Sequence, residues 1–193
     1  LTLILVLRNP DNLKGIMYLG LGAACQAGLY FRLKWQGALA SICIFITVLY
    51  LIALRASSGL EVILWLISIV VLTDVLGYFA GRVIRGPKFW PSVSPKKTWS
   101  GILAGWLGSG ICGWLWVSYG SLPLSEGGAI FFSGALAFAS QIGDIGESAL
   151  KHRADQKDSS NLLPGHGGFL DRFDGLVGAT IVFAGANMLM SLG

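Results

Sequence analysis

The sequence predicts an all-α integral membrane protein, a polytopic bundle of transmembrane helices whose loops on one side carry the chemistry. Three observations predict it. Of the 193 residues 54% are hydrophobic and only 12% charged, against about 25% charged in an ordinary soluble domain; the mean hydropathy is +0.68. Uncharged runs of spanning length alternate with short polar connections. And the charge that exists is concentrated: residues 141–175 hold six of the ten acidic residues, four of the fourteen basic ones and both histidines. Ionisable groups at a membrane boundary are costly to place and by default mark a site.

The chain opens with LTLILVL, too short to span, since a spanning helix needs about 20 residues. With no basic leader or small-residue cleavage site it does not read as a signal peptide; it reads as the tail of a truncated segment. After the polar turn from Arg8 to Lys14, Gly15 to Phe31 predicts a short span, closed by Arg32 and Lys34. Trp35 to Leu54 predicts the next, followed by the connection Arg55 to Gly59 and a span from Leu60 to Phe79 that is interrupted by Asp74. Residues 81–97, GRVIRGPKFWPSVSPKK, contain five bases, no acid and three prolines, which excludes a membrane helix and predicts loop and turn geometry.

Trp99 to Tyr119 is uncharged and predicts a span, and Ser121 to Gly128 a short loop with Glu126 as its one charge. Ala129 to Gly143 predicts a helix that runs on, now polar, through Asp144 to Lys151; Gly175 to Leu192 predicts the last span. The whole is one transmembrane domain over residues 1–193 of about six spans and one partial one, with no fixed-period repeat.

Lys and Arg in short loops favour the cytoplasmic side. The 81–97 and 151–174 segments are both basic and one helical hairpin apart, so they are expected on one face, the cytoplasmic one, with 121–128 opposite. Arg8 and Lys14 fall on the external side by this count. The charge of +4 reports this orientation and not nucleic acid, and the seven tryptophans suit the lipid interface. Cys25, Cys43 and Cys112 lie in apolar stretches without the paired spacing of zinc or disulfide frameworks.

In the 141–175 segment, a helix continuing through Leu150 sets Asp144, Glu147, Ser148 and Lys151 on one face at i, i+3, i+4 and i+7. Beyond it, Pro164-Gly165-His166-Gly167-Gly168 is a turn whose glycines let backbone amides approach an anion, and Asp171, Arg172 and Asp174 open the final span. Oxygen ligands without cysteine favour magnesium, which takes one or two carboxylates and completes its shell with water and phosphate. Bases beside it suit the charge that develops on a transferring phosphoryl group. The inventory therefore predicts Mg2+-assisted phosphoryl or nucleotidyl transfer. Asp74 reads equally as a site residue or as an ion pair with Arg82, and Glu147 and Asp155 as polar-face residues.

The run from Ser148 to Asp174 resembles the motif of phosphatidate cytidylyltransferases, also called CDP-diacylglycerol synthases: Ser148, Leu150, Lys151, Lys157, Asp158, Pro164, His166, Gly167, Gly168, Asp171, Arg172, Phe173 and Asp174 are in register, with His152 where the family usually has Arg. Asp74, Tyr78, Phe79, Gly81 and Arg82, with Ser94 to Gly101, resemble a second family segment in which Ser100 replaces the usual Glu. The resemblance implies an all-helical membrane enzyme, often a homodimer, that converts CTP and phosphatidate to CDP-diacylglycerol and pyrophosphate. It implies Asp144, Asp171, Lys151 and Arg172 as catalytic groups and Asp144, Asp171 and Asp174 as ligands of Mg2+, alone or with a second cation. Ser148, Lys96, Lys97, Arg82, His166, Gly167 and Gly168 are implied to bind substrate. Two alternatives to this reading are a CTP-dependent polyprenol-type lipid kinase, which would release CDP, and an ion or proton transporter using Asp74 and Glu61. The expected location is the inner or plasma membrane, with the site facing the cytoplasm.

Overall fold

A computed structural model describes residues 34–120, 122–153 and 170–190, and side-chain environments within 42–120, 122–149 and 174–189. The predicted short span at Gly15 to Phe31 and the opening run lie outside these. By internal packing the chain forms two compact units, Leu1–Ile63 and Leu64–Gly193. Helix α1, Lys34–Val83, contributes to both. The sequence predicts two spans here with a five-residue connection. Two helices are what α1 contains, meeting at a kink on Gly59 (φ 82°, ψ −172°), a conformation open to glycine because it has no Cβ; the connection is shorter than expected, since residues 55–58 still belong to the first helix.

In the second unit the end of α1 is followed by a β-hairpin, β1 Lys88–Trp90 and β2 Ser94–Thr98, and then by α2 Trp99–Tyr119, α3 Glu126–Arg153 and α4 Leu170–Met190. The hairpin corrects the expectation of plain loop for 81–97. Its strands pair antiparallel with Lys88 opposite Thr98 and Trp90 opposite Ser94, and an irregular register between. Prolines fit because both strands of a two-stranded ribbon are edges, where a missing N–H costs nothing. The chain enters through Arg85 (φ 58°) and Gly86 (φ 120°), and the hairpin is tied back by Trp99 N–H to Pro87 O, 3.1 Å. Thr98 then caps α2, its Oγ1 accepting from Gly101 N at 3.3 Å, which satisfies one of the helix's orphan donors.

Among the described residues three helices, Ile42–Val83, Trp99–Tyr119 and Glu126–Ala149, are long and apolar enough to cross a membrane, and Asp174–Leu189 is a shorter apolar helix. The predicted continuation of the Ala129 helix through Lys151 is what α3 shows. Apolar side chains point outward in numbers, Leu107, Phe131 and Leu189 among the most exposed, as suits a lipid-facing surface. Trp65, Leu66, Ile69, Leu136 and Ala179 form the interior.

Between membrane helices there is no hydrophobic gain from leaving water, so close packing and hydrogen bonds hold them. Both are present. Trp65 Nε1 donates to Ser133 Oγ at 3.1 Å, Thr73 and Ser109 hydroxyls pair at 2.8 Å, and Trp116 Nε1 reaches Ser68 Oγ at 3.0 Å. Cys112 is free and buried and Cys43 free and half-buried, in keeping with a packing role. Glycines set the closest approaches: a Cβ on Gly101 would strike the Gly77 carbonyl, and one on Gly143 would strike the Asp174 carbonyl. The second contact draws α3 and α4 together at the acidic end of the chain.

Candidate functional site

The site forms where β2 ends beside the polar half of α3. Lys97, the last residue before the Thr98 cap, sends its ammonium into an ion pair with Asp144, Nζ to Oδ2 2.6 Å, with side-chain exposures of 25% and 15%. The same Nζ approaches the Gln141 carbonyl at 3.4 Å. Gln141 lies one helical turn before Asp144, and its own side chain is fixed by Trp106 of α2, whose Nε1 donates to Oε1 at 2.9 Å. The ammonium is therefore held from two consecutive turns of α3. Enclosure makes the pair costly to break, because removing one partner strands a half-buried charge.

Two further carboxylates surround this pair. Asp74 of α1 and Asp174 of α4 are within Coulombic reach of Asp144, as is Lys97. Asp74 itself is exposed and borders a cavity of about 70 Å³ whose wall also includes Lys97, Gln141, Thr73 and Gly77. Asp174 Oδ1 accepts from Gly175 N at 2.8 Å. Asp144 Oδ1 is buried and without a hydrogen-bond partner among the described residues, as is Ser140 Oγ. Both face Gly175: a Cβ there would stand 2.9 Å from each. Three aspartates on three helices and one lysine are thus brought within electrostatic reach, and among the described residues only Asp144 is ion-paired.

Of the residues singled out from sequence, the structure brings together Lys97, Asp144, Asp174 and Asp74. Ser148 is half-buried one turn beyond Asp144. Lys96 is exposed next to Lys97. Asp171 and Arg172 fall in the first turn of α4 and Lys151 in the last turn of α3; their side chains lie outside the described residues, as do His166, Gly167 and Gly168 altogether. The Asp74–Arg82 ion pair is not formed. Eight helical residues separate them by about 12 Å along the axis, and Arg82 instead donates to Tyr78 Oη at 2.6 Å, its guanidinium 5.9 Å from the ring centre. Glu147 is buried, so it does not belong to a solvated polar face.

Sequence reasoning missed Gln141 and Trp106. Helical spacing offers Gln141, at i−3 from Asp144; nothing in the sequence points to Trp106. No group of three His, Cys, Asp or Glu side chains among the described residues is close enough to hold a metal by itself. The donor chemistry nevertheless fits a hard cation: an unpartnered buried carboxylate oxygen on Asp144 with Asp174 nearby meets the one or two carboxylates that magnesium uses.

The fold and these groups define a class: helical membrane proteins with a partly buried cluster of acids around a lysine. More narrowly, the chain belongs to the Cytidylyltransferase family, whose profile matches residues 17–190. It is 46% identical over 123 residues to a phosphatidate cytidylyltransferase of Brucella abortus, covering 63% of this chain and 44% of that protein. To the phosphatidate cytidylyltransferases of Bacillus subtilis and Haemophilus influenzae it is 38% and 35% identical over 116 and 130 residues, 60% and 65% of this chain and 43% and 45% of theirs. The match therefore spans less than half of each relative's length.

Proposed function

We propose that this chain transfers the cytidylyl group of CTP to phosphatidate, giving CDP-diacylglycerol and pyrophosphate. The observation that carries the reading is the Lys97–Asp144 pair of 2.6 Å, set among the Asp74 and Asp174 carboxylates at the end of apolar helices, in a chain that belongs to the Cytidylyltransferase family. A phosphatidate oxygen attacks the α-phosphorus of CTP; the new P–O bond forms as the bond to the β-phosphate oxygen breaks, and pyrophosphate leaves with that electron pair. The nucleophile is already an anion, so no covalent enzyme intermediate is required, and positioning with charge neutralisation carries the rate.

In this reading Lys97 meets phosphate oxygens as negative charge develops, and Asp144 with the Gln141 carbonyl keeps the ammonium aimed before substrate arrives. Asp144, Asp171 and Asp174 would hold Mg2+, which supplies neutralisation of the triphosphate. Lys151, Arg172, Lys96 and Arg82 are the further phosphate contacts, Ser148 a phosphate or metal contact, and the His166-Gly167-Gly168 turn shapes the nucleotide pocket. The site faces the cytoplasm from the inner or plasma membrane, and the protein works as a homodimer.

The test is product identity. Purified protein with CTP labelled at the α-phosphate, phosphatidate and Mg2+ should put label into CDP-diacylglycerol and release unlabelled pyrophosphate. Appearance of CDP with a phosphorylated lipid would assign a kinase instead.

A further inference from the structure

The segment between α1 and α2 carries charge that the site does not use. Of its four bases Lys97 turns inward and Lys96 is a proposed substrate contact; Arg85 and Lys88 are exposed, no acid lies between residues 81 and 97, and neither Arg85 nor Lys88 borders the Lys97 cavity. Large aromatic rings stand among them. Trp90 is 49% and Trp99 43% exposed, and Phe89 packs edge-on between them, with ring centres 4.8 Å from Trp99 and 6.5 Å from Trp90. The segment follows the apolar helix that ends at Val83 and precedes the one that starts at Trp99, which is where headgroups meet hydrocarbon.

We propose that this hairpin is a docking surface for anionic phospholipid headgroups of the surrounding bilayer, with Trp90 and Trp99 seated at headgroup depth and Arg85 and Lys88 gripping phosphates. Amphipathic rings favour that depth, and each base near an anionic surface raises the preference for it about fivefold. The surface is built before lipid arrives: Trp99 N–H bonds Pro87 O at 3.1 Å, and Ser100 Oγ bonds the Arg85 carbonyl. Little loop ordering then opposes binding. The hairpin would gather anionic lipid beside Lys97. The inference rests on membrane placement and not on cytidylyl transfer, so it is tested without CTP or metal.

The protein is placed in phosphatidylcholine nanodiscs containing, at equal mole fraction, either brominated phosphatidylglycerol or brominated phosphatidylcholine, and the Trp90 contribution to fluorescence is taken as the difference from Trp90→Phe. The expected result is quenching of Trp90 severalfold stronger with the anionic probe. That excess should vanish in Arg85→Gln/Lys88→Gln and persist in Arg85→Lys/Lys88→Arg, which keeps the charge and controls for folding. Equal quenching by both probes, an excess that survives removal of both charges, or an excess abolished by adding CTP would overturn the proposal; the last would give these bases to the nucleotide.

Discussion

Lys97 is the residue on which the site turns, because the fold half-buries its ammonium and aims it at Asp144. Its loss in Lys97→Ala removes a charge that the reaction would need at the transition state, an effect of about 100-fold or more in kcat, measured as pyrophosphate release. Gly175 is a second test at this scale. A methyl group there would lie 2.9 Å from both Asp144 Oδ1 and Ser140 Oγ, closer than real side-chain contacts, so Gly175→Ala should lower turnover while circular dichroism shows unchanged helix content. Unaltered turnover in that variant would mean the Asp144 oxygen has no role. The sequence makes Asp144 and Lys97 legible singly, the first through its helical spacing to Ser148 and Lys151 and the second through the family segment from Ser94 to Gly101. It does not pair them, since 47 positions separate them and no periodicity reports a contact between a strand end and a helix face. Glu147 was misread for the opposite reason: its helical phase is right, but a polar stripe on a membrane helix can face the protein interior as well as water.

At the scale of elements, the β2–α2 junction aims the lysine. Thr98 caps α2 and Gly101 lets α2 close on α1, so Thr98→Ala should cost about 1 kcal/mol, and Gly101→Val, which would drive a branched side chain into the Gly77 carbonyl, should cost more. Thermal unfolding in detergent reads both, and the order of the two costs is the check. The helices were legible because an uncharged run of spanning length has few other folds available in lipid. The hairpin was not, because strands of three and five residues holding prolines show none of the alternation that announces a sheet. The break within α1 was legible too, as the polar connection ending at Gly59; an apolar-run reading does not show that the break narrows to that one glycine, whose positive φ ends the first helix.

For the molecule as a whole, the family assignment and the apolar helices describe a membrane protein, and the proposed cytidylyl transfer would use a hard cation. Activity should therefore be lost on addition of EDTA and return with Mg2+; turnover that persists in EDTA would remove magnesium from the account. The expectation that the 81–97 and 151–174 segments share one face falls mostly outside the described residues; the Lys97–Asp144 contact sets the end of the first segment beside the helix that leads into the second. The central claim is that these two side chains act as one unit. A double-mutant cycle in kcat/KM tests it most directly: Lys97→Gln, Asp144→Asn and the two combined. Groups that work as a unit are strongly non-additive, so the double variant should fall little further than the worse single one; losses that multiply, or full turnover by Asp144→Asn, would contradict the account.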